Sequence, residues 1–172
     1  MIELGQDRKI AALKSSVCVH FFLEVFMSLK DDKYYFNLAL KEAKRAAKSN
    51  NVPIGCVIVF NNRVIAKAYN KKNSKNVSIY HAEILAMIKA CRFLNTFILE
   101  DCTMYVTLEP CKMCMNAMAE SRIRNVKYLI SSRYGNNLKS NYDRIKCKQY
   151  SNNEYIDEYS DMLSKFFKNV RS

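Results

Sequence analysis

The sequence contains few of the residues that break or loosen a polypeptide chain, with three glycines and two prolines among 172 residues. It has no internal repeats and no stretch rich in glycine and serine or in proline. It therefore lacks the linkers that commonly separate domains. A chain of this length with 49% hydrophobic residues can bury one core but is too short for two ordinary domains. We expect a single folded domain.

The sequence also lacks a long apolar run. The nearest candidate, residues 17–26, is interrupted by His20 and Glu24, whereas a membrane-spanning helix needs about 18 or more apolar residues. The same stretch has no small-residue cleavage site and makes a poor secretory signal. Seven cysteines at irregular spacings cannot all pair, which favours a reducing compartment over a disulfide framework. We expect a soluble, cytoplasmic protein with no membrane partner.

Acidic residues are scarce, since 16 Asp and Glu accompany 28 Lys and Arg and give a formal charge of +12. Such a surplus attracts polyanions, although a generally basic soluble protein has the same composition. Between residues 122 and 148 the only acidic residue is Asp143, and Tyr128, Tyr134 and Tyr142 are interleaved with basic residues. The basic residues are Arg122, Arg124, Lys127, Arg133, Lys139, Arg144, Lys146 and Lys148. This segment favours contacts with a single-stranded RNA loop; a solvated lysine-rich surface is the alternative.

The first residues of the chain differ in character from those that follow. Met27-Ser28-Leu29-Lys30 resembles a fresh start of translation. We therefore interpret residues 1–26 as a disordered extension or a mis-assigned start, and residues 27–172 as the domain.

Hydrophobic periodicity predicts the order α-β-β-α-β-α-β, followed by a less regular region and a final helix. Asn61-Asn62-Arg63 is typical of the turn in an antiparallel hairpin, and residues 70–78 form a polar loop. The predicted helices are 33–49, 81–94, 111–120 and 154–169, and the predicted strands are 54–60, 64–69, 103–108 and 126–130, with a short fifth near 145–150. This order predicts an α/β fold, a central mixed sheet of about five strands covered by helices on both faces.

Two short motifs occur where helices are predicted to begin. One is His81-Ala82-Glu83, and the other is Pro110-Cys111-Lys112-Met113-Cys114. The spacing of Cys111 and Cys114 puts both sulfurs on one face of a helical turn. Catalytic zinc takes three protein ligands and leaves a position open for water. We predict that His81, Cys111 and Cys114 hold zinc, at helix starts that favour anionic ligands.

Glu83 is the predicted proton carrier of this site. Residues two apart point to different sides of a helix, so His81 must lie at the extreme helix start for Glu83 to face the reacting water. Two thiolates and an imidazole neutralise Zn²⁺, and a nearby base must therefore help to activate water. Alone, the cysteine pair fits a redox pair or half of a structural zinc site, and His81 fits a helix cap. Their conjunction favours catalysis.

Beyond these motifs, the surrounding sequence resembles the bacterial tRNA-specific adenosine deaminases of the cytidine/deoxycytidylate deaminase superfamily. The resemblance covers residues 33–133, with a weaker echo at Asp161 to Phe167. It is carried by residues 52–55, 61–65, Asn70, 104–114, 117–118 and 121–123. Two segments depart from the usual pattern of the family. They are Val77-Ser78-Ile79-Tyr80, which replaces Asp-Pro-Thr-Ala before the histidine, and residues 131–137, which lack a recognisable Gly-rich pattern.

The resemblance implies a three-layer α/β/α cytidine-deaminase-like fold and a zinc-dependent deaminase domain at residues 27–172. It implies a homodimer with one zinc per subunit that converts the wobble adenosine of a tRNA anticodon stem-loop to inosine. It further implies that Glu83 is the proton shuttle and that Asn70, Ile54 and Pro110 contact the substrate. Without the family resemblance, the sequence favours a turn residue at Asn70 and a buried strand residue at Ile54.

Two other functions remain open from the sequence. A deaminase of a free base or nucleoside, such as cytosine, cytidine or guanine, uses the same zinc chemistry without a basic surface. A non-catalytic, zinc-stabilised RNA-binding module needs the metal ligands but not Glu83.

Overall fold

The fold is built on a five-stranded mixed sheet with the strand order β2-β1-β3-β4-β5. The structure is a computed structural model and describes residues 30–132 and 143–171. Its helices are α1 (Asp32–Lys48), α2 (Lys72–Lys75), α3 (Ala82–Leu94), α4 (Lys112–Glu120) and α5 (Asn153–Arg171), and its strands are β1 (Gly55–Phe60), β2 (Arg63–Tyr69), β3 (Thr103–Leu108), β4 (Asn125–Ile130) and β5 (Lys146–Gln149). The predicted leading segment 1–26 lies outside the described residues, so the division at residue 27 stays a prediction.

Strand alternation divides the core into two layers, one on each face of the sheet. In β1, Cys56 and Ile58 pack into a cluster with α3 and α4, whereas Val57 and Val59 pack into a second cluster with α1 and α5. Successive side chains of a strand point to opposite faces, so a strand buried on both faces reads as a continuous apolar run. The predicted three-layer α/β/α fold is confirmed.

The sheet is antiparallel on one side and parallel on the other. β1 pairs antiparallel with both β2 and β3, and β4 pairs parallel with both β3 and β5. Asn61 and Asn62, with φ of 48° and 58°, make the two-residue turn between β1 and β2. Helix α4 is the crossover between the parallel strands β3 and β4, which places its first turn at the carboxyl end of β3. Ligand sites of α/β sheets commonly lie at this edge.

Gly55 allows the start of β1 to approach α1 unusually closely. A Cβ atom at this position would lie 2.0 Å from the carbonyl oxygen of Ala39 and 2.6 Å from the backbone nitrogen of Ala43. Both are backbone atoms of a helix and cannot move aside as a side chain can. The absence of a side chain at residue 55 therefore fixes where β1 begins, and with it the position of Ile54.

The segment after β2 differs from the predicted polar loop, because it contains the short helix α2. Its backbone N–H groups at Asn73 and Ser74 donate to Oδ1 of Asn51, at 2.9 and 3.0 Å. Asn51 is fully buried, and its amide donates to the carbonyl of Ser49 at 2.8 Å. The helix thus has its N-terminal groups satisfied by a side chain more than twenty residues away, which no local pattern reveals.

Among the described residues, none of the helices combines the length and apolar character needed to cross a membrane.

Candidate active site

The two predicted motifs meet at the starts of neighbouring helices. His81 is the residue before α3, with extended backbone dihedrals, and Cys111 holds the same position before α4. The carbonyl of His81 accepts from the N–H of Leu85 at 3.0 Å, and that of Cys111 from Met115 at 2.9 Å. His81 therefore sits at the helix start, as its spacing from Glu83 requires.

The three candidate ligands form a compact group. The Sγ atoms of Cys111 and Cys114 are 3.7 Å apart, and Nδ1 of His81 lies 3.7 Å from the first and 3.6 Å from the second. Tetrahedral zinc, with bonds of about 2.3 Å to sulfur and 2.0 Å to nitrogen, separates two sulfurs by about 3.8 Å and a sulfur from a nitrogen by about 3.6 Å. The donor set fits zinc in both spacing and chemistry.

The pKa values of the two cysteines are shifted in opposite directions. The hydrogen bond between the two sulfurs, together with that to His81, lowers the pKa of Cys111 to about 4. The same bond, together with burial, raises the pKa of Cys114. The hydrogen bond with Cys111 is also the main cause of the raised pKa of His81. Metal coordination requires deprotonated sulfur, and the lowered pKa of Cys111 favours that form.

Glu83 lies beside this group on the first turn of α3 and is 3% exposed. Its Oε2 atom has no hydrogen-bond partner among the described residues. Burial raises the pKa of its carboxyl group, and the neighbouring His81 and Cys114 partly oppose the shift. A buried, incompletely bonded carboxylate is costly for folding, so its retention next to a metal-binding group indicates a chemical use.

The predicted substrate residues lie around the same edge of the sheet. Asn70 is buried; its Oδ1 accepts from the N–H of Lys72 at 3.2 Å and its amide donates to Val52 at 3.4 Å. Ile54 is half-buried against the α3 and α4 cluster, and its carbonyl accepts from the N–H of Asn70 at 3.0 Å. Pro110 is buried directly before Cys111. In this structure Asn70 therefore organises its own loop, and its contact with substrate stays a prediction.

A match to a known protein family identifies the family to which this chain belongs. Residues 29–130 match the model of the cytidine and deoxycytidylate deaminase zinc-binding region, a stretch that contains His81, Glu83, Cys111 and Cys114. The chain belongs to this deaminase family. Zinc is accordingly the metal that the three-ligand group is built for.

Similar proteins of known function show which members of the deaminase family this chain resembles. The tRNA-specific adenosine deaminase of Aquifex aeolicus is 38% identical over 149 residues, which are 81% of this chain and 96% of the relative. The tRNA-specific adenosine deaminase of Bacillus subtilis is 36% identical over 149 residues, which are 83% of this chain and 92% of the relative. The predicted resemblance to tRNA-specific adenosine deaminases is therefore confirmed.

Solved structures agree with the fold of the deaminase. One, from studies of A-to-I editing by tRNA:A34 deaminases at the wobble position, is 33% identical, with a TM-score of 0.68 over 76% of this chain and 99% of that chain. A guanine deaminase from Nitrosomonas europaea has a TM-score of 0.70 at 19% identity, over 80% of this chain and 85% of that chain. The second likeness supports the fold alone.

Two residues that support the deaminase site are not evident from the sequence. Asn51 holds the loop that begins at Asn70, through its bonds to α2. Glu109 is buried, and its carboxylate accepts from the backbone N–H of Ser132 at 2.9 Å, which ties the segment before Cys111 to the end of β4. The sequence signals for Glu109 were its place in the stretch 104–114 and its position directly after a buried strand.

The predicted RNA-binding segment is only partly described. Arg133, Tyr134, Lys139 and Tyr142 lie outside the described residues. Of the remainder, Lys127 pairs with Asp32 at 2.6 Å, and its ammonium group lies over the ring of Tyr105. This lysine therefore contributes to packing at the start of α1.

Proposed function

We propose that this deaminase converts the wobble adenosine of a tRNA anticodon to inosine by hydrolysis, in the cytoplasm. The observation that carries the proposal is the Glu83 carboxylate, buried beside three ligands spaced for zinc. The identity of the base rests on the relatives, whose shared name is tRNA-specific adenosine deaminase. Bound zinc, held by His81, Cys111 and Cys114, would lower the pKa of a water molecule so that it attacks carbon at neutral pH.

Glu83 moves the protons of the reaction. Its carboxylate takes a proton from the attacking water and passes it to the purine ring nitrogen next to the reacting carbon. Once the carbon–oxygen bond has formed, Glu83 takes the second proton from the new hydroxyl group and delivers it to the amine, which leaves as ammonia as the carbon–nitrogen bond breaks and the carbonyl forms. Water and adenosine are consumed, and inosine and ammonia are produced. The raised pKa of Glu83 suits a group that must both accept and release a proton.

Asn70, Ile54 and Pro110 hold the nucleoside in this proposal. The target base must leave its stack to reach the metal, as in other enzymes that act on bases. Ile54 offers an apolar wall at the start of β1, and Pro110 supports the turn that presents Cys111. Asn70 orients the nucleoside by a hydrogen bond, which requires its amide to exchange the long 3.4 Å contact with Val52 for the substrate.

The test compares RNA with small substrates. The purified protein is incubated with an anticodon stem-loop carrying adenosine at the wobble position, and in parallel with free adenosine, cytidine, cytosine and guanine. We expect inosine in the stem-loop only. Deamination of a free base or nucleoside without the stem-loop reaction would replace this proposal with a small-molecule deaminase. Zinc and RNA binding without any deamination would replace it with a binding module.

We also propose that the protein is a homodimer. Two aromatic side chains near the end of α3, Phe93 and Phe97, are 67% and 72% exposed, and Ile88 on the same helix is 40% exposed. Large apolar side chains that are exposed to this extent commonly mark a protein interface when they form a patch. Light scattering measures the mass directly, and replacement of both phenylalanines with glutamate is expected to halve it. A wild-type monomer at micromolar concentration contradicts the proposal.

A further inference from the structure

A concave surface lies away from the metal-binding group, at the other end of α4. It is a cleft of about 580 Å³ between the end of α4, the start of β4 and the residues before β5. Ile123 and Ile145 contribute its apolar side chains, and three arginines line it, namely Arg122, Arg124 and Arg144. We call it the arginine cleft.

The charges of the arginine cleft are only partly compensated. Arg124 pairs with Glu100 at 2.6 Å, and Asp143 is the acidic residue in the lining. Within residues 30–132 and 143–171, neither Arg122 nor Arg144 forms an ion pair, and both are exposed. Arginine guanidinium groups are well suited to phosphate, because they present several donors in a fixed plane. The cleft therefore fits phosphate groups.

Helix α4 sets the distance between the arginine cleft and the active site. Cys111 lies just before its first residue, and Ala119, near its end, lines the cleft. Eight residues of helix span about 12 Å. The arginine cleft and the metal-binding group therefore lie at opposite ends of α4. Lys112 and Asn116 are exposed on α4 between the two sites.

We propose that the arginine cleft is a second RNA-binding site, in which Arg122 and Arg144 contact backbone phosphates of the RNA whose adenosine lies in the active site. This inference rests on the proposed function, since it requires an RNA substrate. Phosphate contacts carry no sequence information, but they fix the position of the RNA and strengthen its binding. The cleft thus distinguishes a structured RNA from a free nucleoside, which cannot reach both sites.

The experiment measures binding of a fluorescent anticodon stem-loop by anisotropy over a range of potassium chloride concentrations. The test variant combines Arg122→Gln with Arg144→Gln. The control combines Lys41→Gln with Lys67→Gln, two exposed lysines on α1 and β2 that remove the same charge elsewhere. A third variant, Arg122→Lys with Arg144→Lys, keeps the charge. Zinc content and circular dichroism verify that each variant folds.

We expect the test variant to bind the stem-loop several-fold more weakly, with a salt slope smaller by about 0.7 to 0.9 per lost phosphate contact. The lysine variant should retain most of the slope, and the control should retain all of it. A short oligonucleotide with one nucleotide on each side of the adenosine should bind the test variant and wild type equally. Equal losses in test and control variants, or no loss in either, overturn the proposal.

Two further outcomes separate the RNA site from its alternatives. Inorganic phosphate that binds wild type but not the test variant, without any change in stem-loop binding, would assign the cleft to a free anion and overturn the RNA site. A protein that binds the stem-loop through the cleft but forms no inosine would refute the proposed function and leave the cleft in place. The binding measurement therefore tests the cleft independently of catalysis.

Discussion

One carboxylate oxygen of Glu83 is the unusual feature of this site. The carboxylate is buried, and one oxygen has no partner among the described residues, although a buried polar group normally finds one. The three ligand atoms beside it already match the number that a catalytic zinc requires. In the proposed mechanism this carboxylate acts on water and substrate instead of completing the metal's coordination.

Glu83→Gln should abolish turnover while zinc stays bound. Glutamine has nearly the same shape but cannot accept and return a proton, and general acid–base catalysis typically contributes about 10²- to 10⁴-fold to a rate. We expect a fall in kcat of at least that size, because one residue serves several proton transfers. Single-turnover inosine formation and zinc content are measured on the same samples. Turnover within a few-fold of wild type would refute the role of Glu83.

The sequence predicted the residues whose partners are close along the chain. His81 and Glu83, or Cys111 and Cys114, are two or three residues apart, so helix geometry alone relates their side chains. Asn51 could not be found in this way, because it bonds to backbone N–H groups of Asn73 and Ser74. Every residue except proline has such a backbone donor, so these bonds leave no pattern in the sequence.

At the scale of elements, the strands were predictable because burial on both faces produces runs of apolar residues. The short helix α2 was not, because its four residues, Lys-Asn-Ser-Lys, carry no apolar face. Strand β5 left a weak pattern, since only Cys147 in it is half-buried and the other residues are exposed. Strand β5 and helix α2 both depend on hydrogen bonds from their backbone to β4 and to Asn51. These partners are distant in sequence.

Gly55→Ala should weaken the junction between α1 and β1. The added methyl group would collide with helix backbone at Ala39 and Ala43, and overpacking of this kind typically costs about 1–3 kcal/mol or more. Urea unfolding should show a lower midpoint than wild type. Lys41→Ala, at an exposed position of the same helix, is the control and should leave the midpoint unchanged. An unchanged midpoint for Gly55→Ala would contradict the close approach.

Asn51→Ala should loosen the loop that carries Asn70. Loss of a helix cap typically costs about 0.5–2 kcal/mol, and we expect KM for the stem-loop to rise several-fold with a smaller change in kcat. Asn51→Asp keeps an oxygen acceptor for both N–H groups and should recover most of the affinity for the stem-loop. Steady-state kinetics on both variants test this. A lower stability with wild-type KM would restrict Asn51 to a structural role.

For the whole molecule, metal binding joins parts of the chain that are far apart in sequence. His81 precedes α3 and the two cysteines begin α4, so the three ligands connect two helices on the same face of the sheet. A ligand that binds only the folded state stabilises it by mass action.

Removal of zinc with a chelator should therefore lower the melting temperature as well as the activity. Added zinc should restore both, whereas magnesium should restore neither, because thiolate ligands do not suit that ion. Cys111→Ser, which lacks one thiolate, should melt near the temperature of the chelated wild type and respond little to the chelator. A wild-type melting curve that does not change on metal removal would contradict a bound zinc in the folded protein.

In the proposed reaction this chain places one adenosine of an RNA against Glu83 and the metal. The most direct measurement of this reaction is inosine mapping in an anticodon stem-loop after incubation with the wild-type protein, by reverse transcription, in which inosine is read as guanosine. We expect conversion at the wobble adenosine and no conversion in a matched stem-loop whose adenosine is moved one position along the loop. Conversion of both RNAs to the same extent, or of neither by a zinc-loaded protein, would contradict it.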